Sequence, residues 1–252
     1  MTKGNEQKDW AGTVCASESF AIVPEAKRSD LTTGSLRLRY MPDQLIKQWE
    51  ESGLSSAVSV NCDSVIFGGS LDDLSLVKEI SSVPVLASDL VLYPYQLYQL
   101  RLANADAVSF VAASLPSKDL AYLIKIAASV GLQAVVVVTS QVQIDRVVSD
   151  VSNGLIKGLI VSNRRWEDGS VDETGEQALR LLRSDSLSDF RQKFGDSVPV
   201  LADGGVGSIE RSGSYSRYIR ELQDAGAKGA IIGRALAVES RMKEIISEFV
   251  KK

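Results

Sequence analysis

The stretch AVSFVAASLPSKDLAYLIKIAASVGLQAVVVV, residues 107–138, contains one complete structural repeat. It opens on an apolar run, Ala107–Ala113, and its end begins another, Ala134–Thr139. Continuous apolar runs are what strands need when both faces of a parallel sheet are covered. Between them, Ser117–Val130 puts Leu120, Leu123, Ile124 and Ala127 on one face at a 3.6-residue period, which predicts an amphipathic helix. Gly131 follows directly, at the position where glycine relieves the left-handed turn that ends a helix.

The same alternation extends in both directions. Strands are expected at Phe20–Glu25, Ala57–Cys62, Pro84–Asp89, Ala107–Ala113, Ala134–Thr139, Gly158–Ser162, Pro199–Asp203 and Gly229–Gly233. Helices are expected at Pro42–Ser52, Leu71–Ser81, Tyr93–Ala103, Ser117–Val130, Gln141–Val151, Thr174–Leu182, Tyr215–Ala225 and Glu239–Val250. Asn104, Gly154 and Gly226 punctuate further helix ends. Strict β–α alternation permits a closed barrel or an open doubly wound sheet. Eight units in 252 residues favour the (β/α)8 TIM barrel, eight parallel strands with outer helices. Residues 1–19 are expected to be an N-terminal extension, disordered or truncated, and residues 20–252 a single barrel domain. The polar stretch Ser184–Gly195 reads as extra helix and loop on the surface.

Composition removes several function classes. Apolar residues make up 44% and charged residues 24%, which is ordinary for a soluble globular domain. The net charge of −4 argues against nucleic acid as a partner. No apolar run is long enough for a membrane span. The chain contains no histidine, which excludes Ser-His, Cys-His and His-metal mechanisms and leaves acid–base work to Lys, Glu, Asp, Tyr or Cys. No metal site and no cofactor are expected. Cys15 and Cys62 read as free thiols.

In a barrel of this kind the site lies at the C-terminal ends of the strands. Strands 7 and 8 end in LADGGVGS and AIIGRAL. Glycines there let backbone N–H groups approach an anion, a helix N-terminus favours negative charge, and an arginine fork suits phosphate oxygens. Gly204, Gly205, Gly233 and Arg234 are therefore expected to form a phosphate corner, for a phosphorylated small molecule or free phosphate; the alternative is plain turn glycines. In strand 1, FAIVPEAKRSD, the alternation that points Ala21 and Val23 inward also points Glu25 and Lys27 into the mouth. That pair reads equally as catalytic or as a structural ion pair. Tyr93, Tyr95 and Tyr98 are expected to pack against the body, Trp166 to belong to a packed loop or to cover the mouth, and Leu36, Leu38 and Tyr40 to pack in a loop or face a partner.

Several segments together resemble indole-3-glycerol phosphate synthases. Glu25-Ala-Lys27-Arg28 is similar to that family's E-x-K-[KR]; residues 59–70, SVNCDSVIFGGS, to S-V-L-T-D-x-x-x-F-x-G-S; and residues 84–97, PVLASDLVLYPYQL, to P-[LV]-L-x-K-D-F-I-x-x-x-x-Q-[IL]. LPSKDLAYLIKIAASVGLQAVV resembles the plant and algal branch, which implies a plastid, and the likeness runs from about Phe20 to Ala237. The resemblance implies closure of the indole ring of a phosphorylated anthranilate derivative, with loss of carbon dioxide and water. It implies a lysine acid, a glutamate partner and a phosphate site, with Glu25, Lys27 and Asp203 as catalytic candidates and Arg164, Ser88, Ser162 and Phe67 against substrate.

The departures from the pattern matter as much. The family's third-strand lysine is Ser88 here, its fifth-strand glutamate is Val137, its sixth-strand asparagine is Ser162, and its seventh-strand E-S-G is Asp203-Gly204-Gly205. The phosphate-contacting S-P-S-x-G reads Asp30-Leu31-Thr32-Thr33-Gly34, and Asp30 opposes a nearby phosphate. Serine does not replace an ammonium as an acid near neutral pH. The expectation is a barrel that has lost the ancestral reaction and acts as a phosphate-ligand-binding, scaffold or regulatory protein, with room for a protein partner. Two alternatives stand beside it: a different reaction on a phosphorylated small molecule, and a working synthase that relies on Lys27.

Overall fold

The computed structural model describes residues 7–36, 39–53, 55–166, 168–209 and 215–237. Eight parallel strands close on themselves: β1 (Ala21–Ala26), β2 (Val58–Asn61), β3 (Val85–Ser88), β4 (Ala107–Val111), β5 (Gln133–Val138), β6 (Ile156–Ser162), β7 (Val200–Asp203) and β8 (Gly229–Ile232). Closure is made by β1, which pairs with β8 from Ala21 opposite Gly229 to Pro24 opposite Ile232, and with β2 through Glu25 and Ala26 opposite Ser59 and Val60. The chain is a (β/α)8 TIM barrel.

Outer helices follow the strands: α2 (Pro42–Glu51), α3 (Leu71–Ile80), α4 (Pro94–Leu102), α5 (Ser117–Ser129), α6 (Gln141–Asp150), α7 (Glu176–Leu182), α9 (Tyr215–Asp224) and α10 (Arg234–Ala237). In α5 the buried residues are Leu120, Leu123, Ile124 and Ala127, the face set by the 3.6-residue spacing. The polar insertion before β7 forms α8 (Asp185–Phe194), capped by Ser184 and packed beside α6. The expected helix at Thr174–Leu182 starts two residues later. Gly175 holds a left-handed φ of 73° there, and the Tyr218 ring lies where a β-carbon would be. The expected final helix, Glu239–Val250, lies outside the described residues.

The wall separates two cores. Outside it, strand residues such as Val58, Val108 and Val136 pack against helices. Inside it lie Ala21, Val23, Ala57, Leu86, Ala107, Val135, Val137, Ile160, Leu201 and Ile231. The inner core is completed from the N-terminal extension. Residues 10–16 form α1 (Trp10–Ala16), capped by Asp9 Oδ1 accepting from Gly12 N, and it delivers Trp10 and Val14 into the barrel floor. Gly158 makes room for the Trp10 ring, since a β-carbon there would stand 2.5 Å from it. Lys8 N donates to Asp106 Oδ1 at 2.8 Å and Ala11 N to Gln133 Oε1 at 2.9 Å, so the segment is tied to the starts of β4 and β5.

The tyrosines of α4 depart from expectation. Only Leu97 and Leu100 of that helix are buried, and Tyr93, Tyr95 and Tyr98 are 60%, 60% and 53% exposed. The helix presents just those two leucines to the wall, which turns the tyrosines outward; Tyr93 and Tyr95 stack with centroids 6.2 Å apart. Cys15 and Cys62 are free thiols. Among the described residues no helix is long and apolar enough to cross a membrane.

Candidate functional site

The strand ends converge on a cavity of about 50 Å³ at the C-terminal mouth of the barrel. Its floor is apolar, formed by Leu86, Val137, Ile160 and Ile231. Its rim carries Glu25 and Lys27 from β1 and its exit, Asp63 and Phe67 after β2, Ser88 and Asp89 at the end of β3, Arg164 and Trp166 after β6, and Asp203 at the end of β7. Asn61 and Ser109 add polar side chains from β2 and β4.

Lys27 sits among acids. Its Nζ lies 3.4 Å from Glu25 Oε2 and 2.9 Å from Asp30 Oδ2. Arg164 Nη2 reaches the same Asp30 oxygen at 2.8 Å, while its Nη1 donates to Gly169 O at 2.9 Å. Both cations stand 5.6 Å from the centre of the Phe67 ring, a cation–π distance. Phe67 in turn meets Trp166 edge to face, with centroids 6.4 Å apart. Asp30 is positioned by the short hairpin of Ser29–Asp30 with Gly34–Ser35, and its Oδ1 accepts from Thr32 N and Oγ1.

These contacts set the protonation states. Burial pushes the Glu25 carboxyl above its ordinary range; Lys27 pulls it back down and Asp203 adds to the rise. Burial also acts to raise Asp30, but Lys27 and Arg164 outweigh it and hold that carboxyl well below the usual carboxylate range. Asp89 is pushed up to about 6 by burial, with the charge of Asp63 adding to the effect. Burial raises the Cys62 thiol well above its usual value, so it is no thiolate nucleophile.

The expected substrate-contacting residues divide. Ser88, Phe67 and Arg164 line the cavity. Ser162 does not: its Oγ donates to Asp203 Oδ2 at 3.2 Å and accepts from Arg164 N at 3.1 Å, so it orients two neighbours from behind. Gly204, Gly205, Gly233 and Arg234 do come together, with Lys27, Asp30 and Arg164, around a second hollow of only about 10 Å³. Its cations already have carboxylate partners, because Arg234 Nη2 lies 3.0 Å from both Glu173 oxygens and Asp30 holds the other two. At Gly233 a β-carbon would come within 2.8 Å of Glu25 Oε2, so this glycine is what lets the Glu25 carboxylate pass.

Asn61 and Ser109 line the cavity although no motif marks them, and Trp166, expected in a packed loop or over the mouth, lines it as well. A signal existed, because Asn61 and Ser109 interrupt the apolar runs AVSVNC and AVSFV with inward polar groups.

The sequence model of indole-3-glycerol phosphate synthase matches residues 5–249. The chain belongs to the indole-3-glycerol phosphate synthase family. Relatives of that name include one from Crocosphaera subtropica, 28% identical over 241 residues that cover 95% of this chain and 76% of the relative. Another, from Trichodesmium erythraeum, is 32% identical over 217 residues, covering 86% of this chain and 67% of the relative. Among solved structures, a chain of a tryptophan synthase complex from Pyrococcus furiosus superposes with a TM-score of 0.57 at 14% identity, covering 92% of this chain and 94% of the other, a likeness of fold. Within the indole-3-glycerol phosphate synthase family, Ser88 and Val137 stand where the resemblance implies a lysine and a glutamate, and both side chains face the cavity.

Proposed function

We propose that this barrel is a diverged member of the indole-3-glycerol phosphate synthase family that no longer closes the indole ring and uses its mouth to hold a small ligand, as a binding or regulatory protein. The observation that carries this reading is the cavity wall at Ser88 and Val137. A serine hydroxyl does not stand in for an ammonium as an acid near neutral pH, and an isopropyl group supplies no proton at any pH. A positioned acid or base is typically worth about 10²–10⁴-fold in rate, so losing one at each of two strands removes most of the chemistry. Lys27 is a poor replacement, since Asp30 and Glu25 both hold its ammonium.

A second reading keeps catalysis, with a different reaction on a phosphorylated molecule. It draws on Glu25, Lys27 and Asp203 sharing one mouth as groups able to move a proton, and on the anion corner at Gly204, Gly205, Gly233 and Arg234. A phosphate there has to displace Asp30 from Lys27 and Arg164, and Glu173 from Arg234, which favours the first reading.

The deciding assay is ring closure by purified protein on the family's phosphorylated anthranilate substrate, beside Ser88→Ala and Lys27→Ala controls. Product formation no faster than in Ser88→Ala is the expected result. A clear rate that Lys27→Ala abolishes overturns the proposal and returns the chain to the working synthases.

A further inference from the structure

The cavity has a charge and hydrogen-bonding balance suited to a different kind of molecule. Four carboxylates line it: Glu25, Asp63, Asp89 and Asp203. Its two cations are committed elsewhere, Lys27 to Glu25 and Asp30, and Arg164 to Asp30 and Gly169 O. Among the described residues no lysine or arginine forms an ion pair with Asp63, Asp89 or Asp203. An anionic ligand entering here meets uncompensated negative charge in a partly desolvated space, where like charges repel more strongly than in water.

Two buried polar atoms beside the cavity lack partners. Asn61 is 3% exposed, lines the cavity, and its Oδ1 has no hydrogen-bond partner. Trp166 also lines it, with a buried Nε1–H that has no acceptor. A buried polar atom left unpaired costs free energy that a bound partner recovers. The cavity therefore offers one unmet acceptor and one unmet donor within a ring of carboxylates. The Trp166 ring adds an aromatic surface favourable to a cation, the Phe67 ring being already faced by Lys27 and Arg164. Among the described residues no three acidic or thiol groups are arranged to share a metal ion, which points to an organic cation.

We propose that the mouth binds a small primary amine, its ammonium held on the β2–β3 side of the cavity by Asp63, Asp89 and Asn61 Oδ1, with a neighbouring hydroxyl or carbonyl oxygen accepting from Trp166 Nε1. This rests on the non-catalytic reading above and names the ligand class for the same site. Burial raises the proton affinities of Glu25 and Asp89, and the neighbouring charges of Asp203 and Asp63 add to the rise, a part that a bound cation relieves. At about 50 Å³ the space suits a molecule of a few heavy atoms.

The test uses ethanolamine, which carries an ammonium and a hydroxyl two carbons apart, against ethylene glycol, its uncharged counterpart. Both are titrated into the full chain at constant ionic strength while the indole N–H resonances are followed by NMR, with Trp166 assigned through Trp166→Phe. Ethanolamine is expected to shift the Trp166 resonance saturably and ethylene glycol to leave it in place. Asn61→Leu and Asp89→Asn, two near-isosteric changes, are each expected to weaken ethanolamine about tenfold, the worth of a charge-assisted or buried hydrogen bond. Equal titration by ethylene glycol, binding unaltered in both variants, saturation by inorganic phosphate instead, or no saturable shift with either probe each overturns the proposal. None of those outcomes touches the ring-closure assay, so failure of the ligand class is distinguishable from failure of the non-catalytic reading.

Discussion

Arg164, which follows β6, and Asp30, which follows β1, are 134 residues apart in the chain and meet at 2.8 Å through Nη2 and Oδ2. Lys27 Nζ shares that oxygen at 2.9 Å, so one carboxylate bridges two cations across the mouth. Asp30 is 4% exposed, and a buried carboxylate placed this way is held by its partners rather than by water.

Asp30→Asn should therefore cost about 3–5 kcal/mol, the usual penalty for leaving buried charges unpaired. Because the native carboxyl has a depressed pKa, its contribution is present above the unfolded value of 3.8 and is lost as pH falls further. The variant should show a flatter stability profile at acid pH. It should also be stabilised by millimolar inorganic phosphate more than the native protein is, because the hollow lined by Gly205 and Gly233 loses its resident anion. Urea titrations at pH 3 to 7, with and without phosphate, check both outcomes.

Asp89 has the opposite sign. Its carboxyl is raised from 3.8 to about 6, so the folded chain binds a proton more tightly than the unfolded chain does. Stability from this group is present below about pH 4 and declines as pH rises through about 6, by at most about 3 kcal/mol. Asp89→Asn should remove that decline and be more stable than the native protein at pH 7.5. Thermal melts at pH 4.5 and 7.5 read the difference; a native-like decline in the variant counts against the assignment.

Asp106 is the anchor of the N-terminal segment. It is 1% exposed, forms a buried ion pair with Lys78, and accepts from Val85 N and Lys8 N at 2.8 Å each. Asp106→Ala should destabilise the chain by about 3–5 kcal/mol. Limited tryptic digestion should then cut after Lys8 sooner than in the native protein.

Trp10→Ala removes the largest side chain from the inner core and should cost about 3–5 kcal/mol. Gly158→Ala pushes a methyl into the same indole and should destabilise without touching the mouth. Ligand titrations of Gly158→Ala at a temperature where it stays folded should match those of the native chain.

The barrel was readable because AVVVV and AVSFV are long apolar runs that only a doubly covered sheet accommodates, and because amphipathic helices separate them. Strand ends therefore located Glu25, Lys27, Ser88 and Asp203 at one mouth. Helix α1 escaped because its seven residues are too few for a periodic pattern; the only marks were Asp9 as a cap and the Trp10–Val14 spacing. The tyrosines of α4 misled because aromatic residues at helical spacing resemble a core stripe, and two leucines proved sufficient for contact. The unpaired state of Asn61 and the closure of the anion corner by Asp30 depend on distances between distant strands, which no local pattern encodes.

The Trp10 floor has a kinetic corollary. The inner core, filled from below by the chain's own indole, closes the cavity beneath Leu86, Val137, Ile160 and Ile231, so a molecule reaches it from the C-terminal rim where Phe67 and Trp166 stand. Arrival and departure then share that rim, and trimming Phe67 or Trp166 should change residence time as well as access.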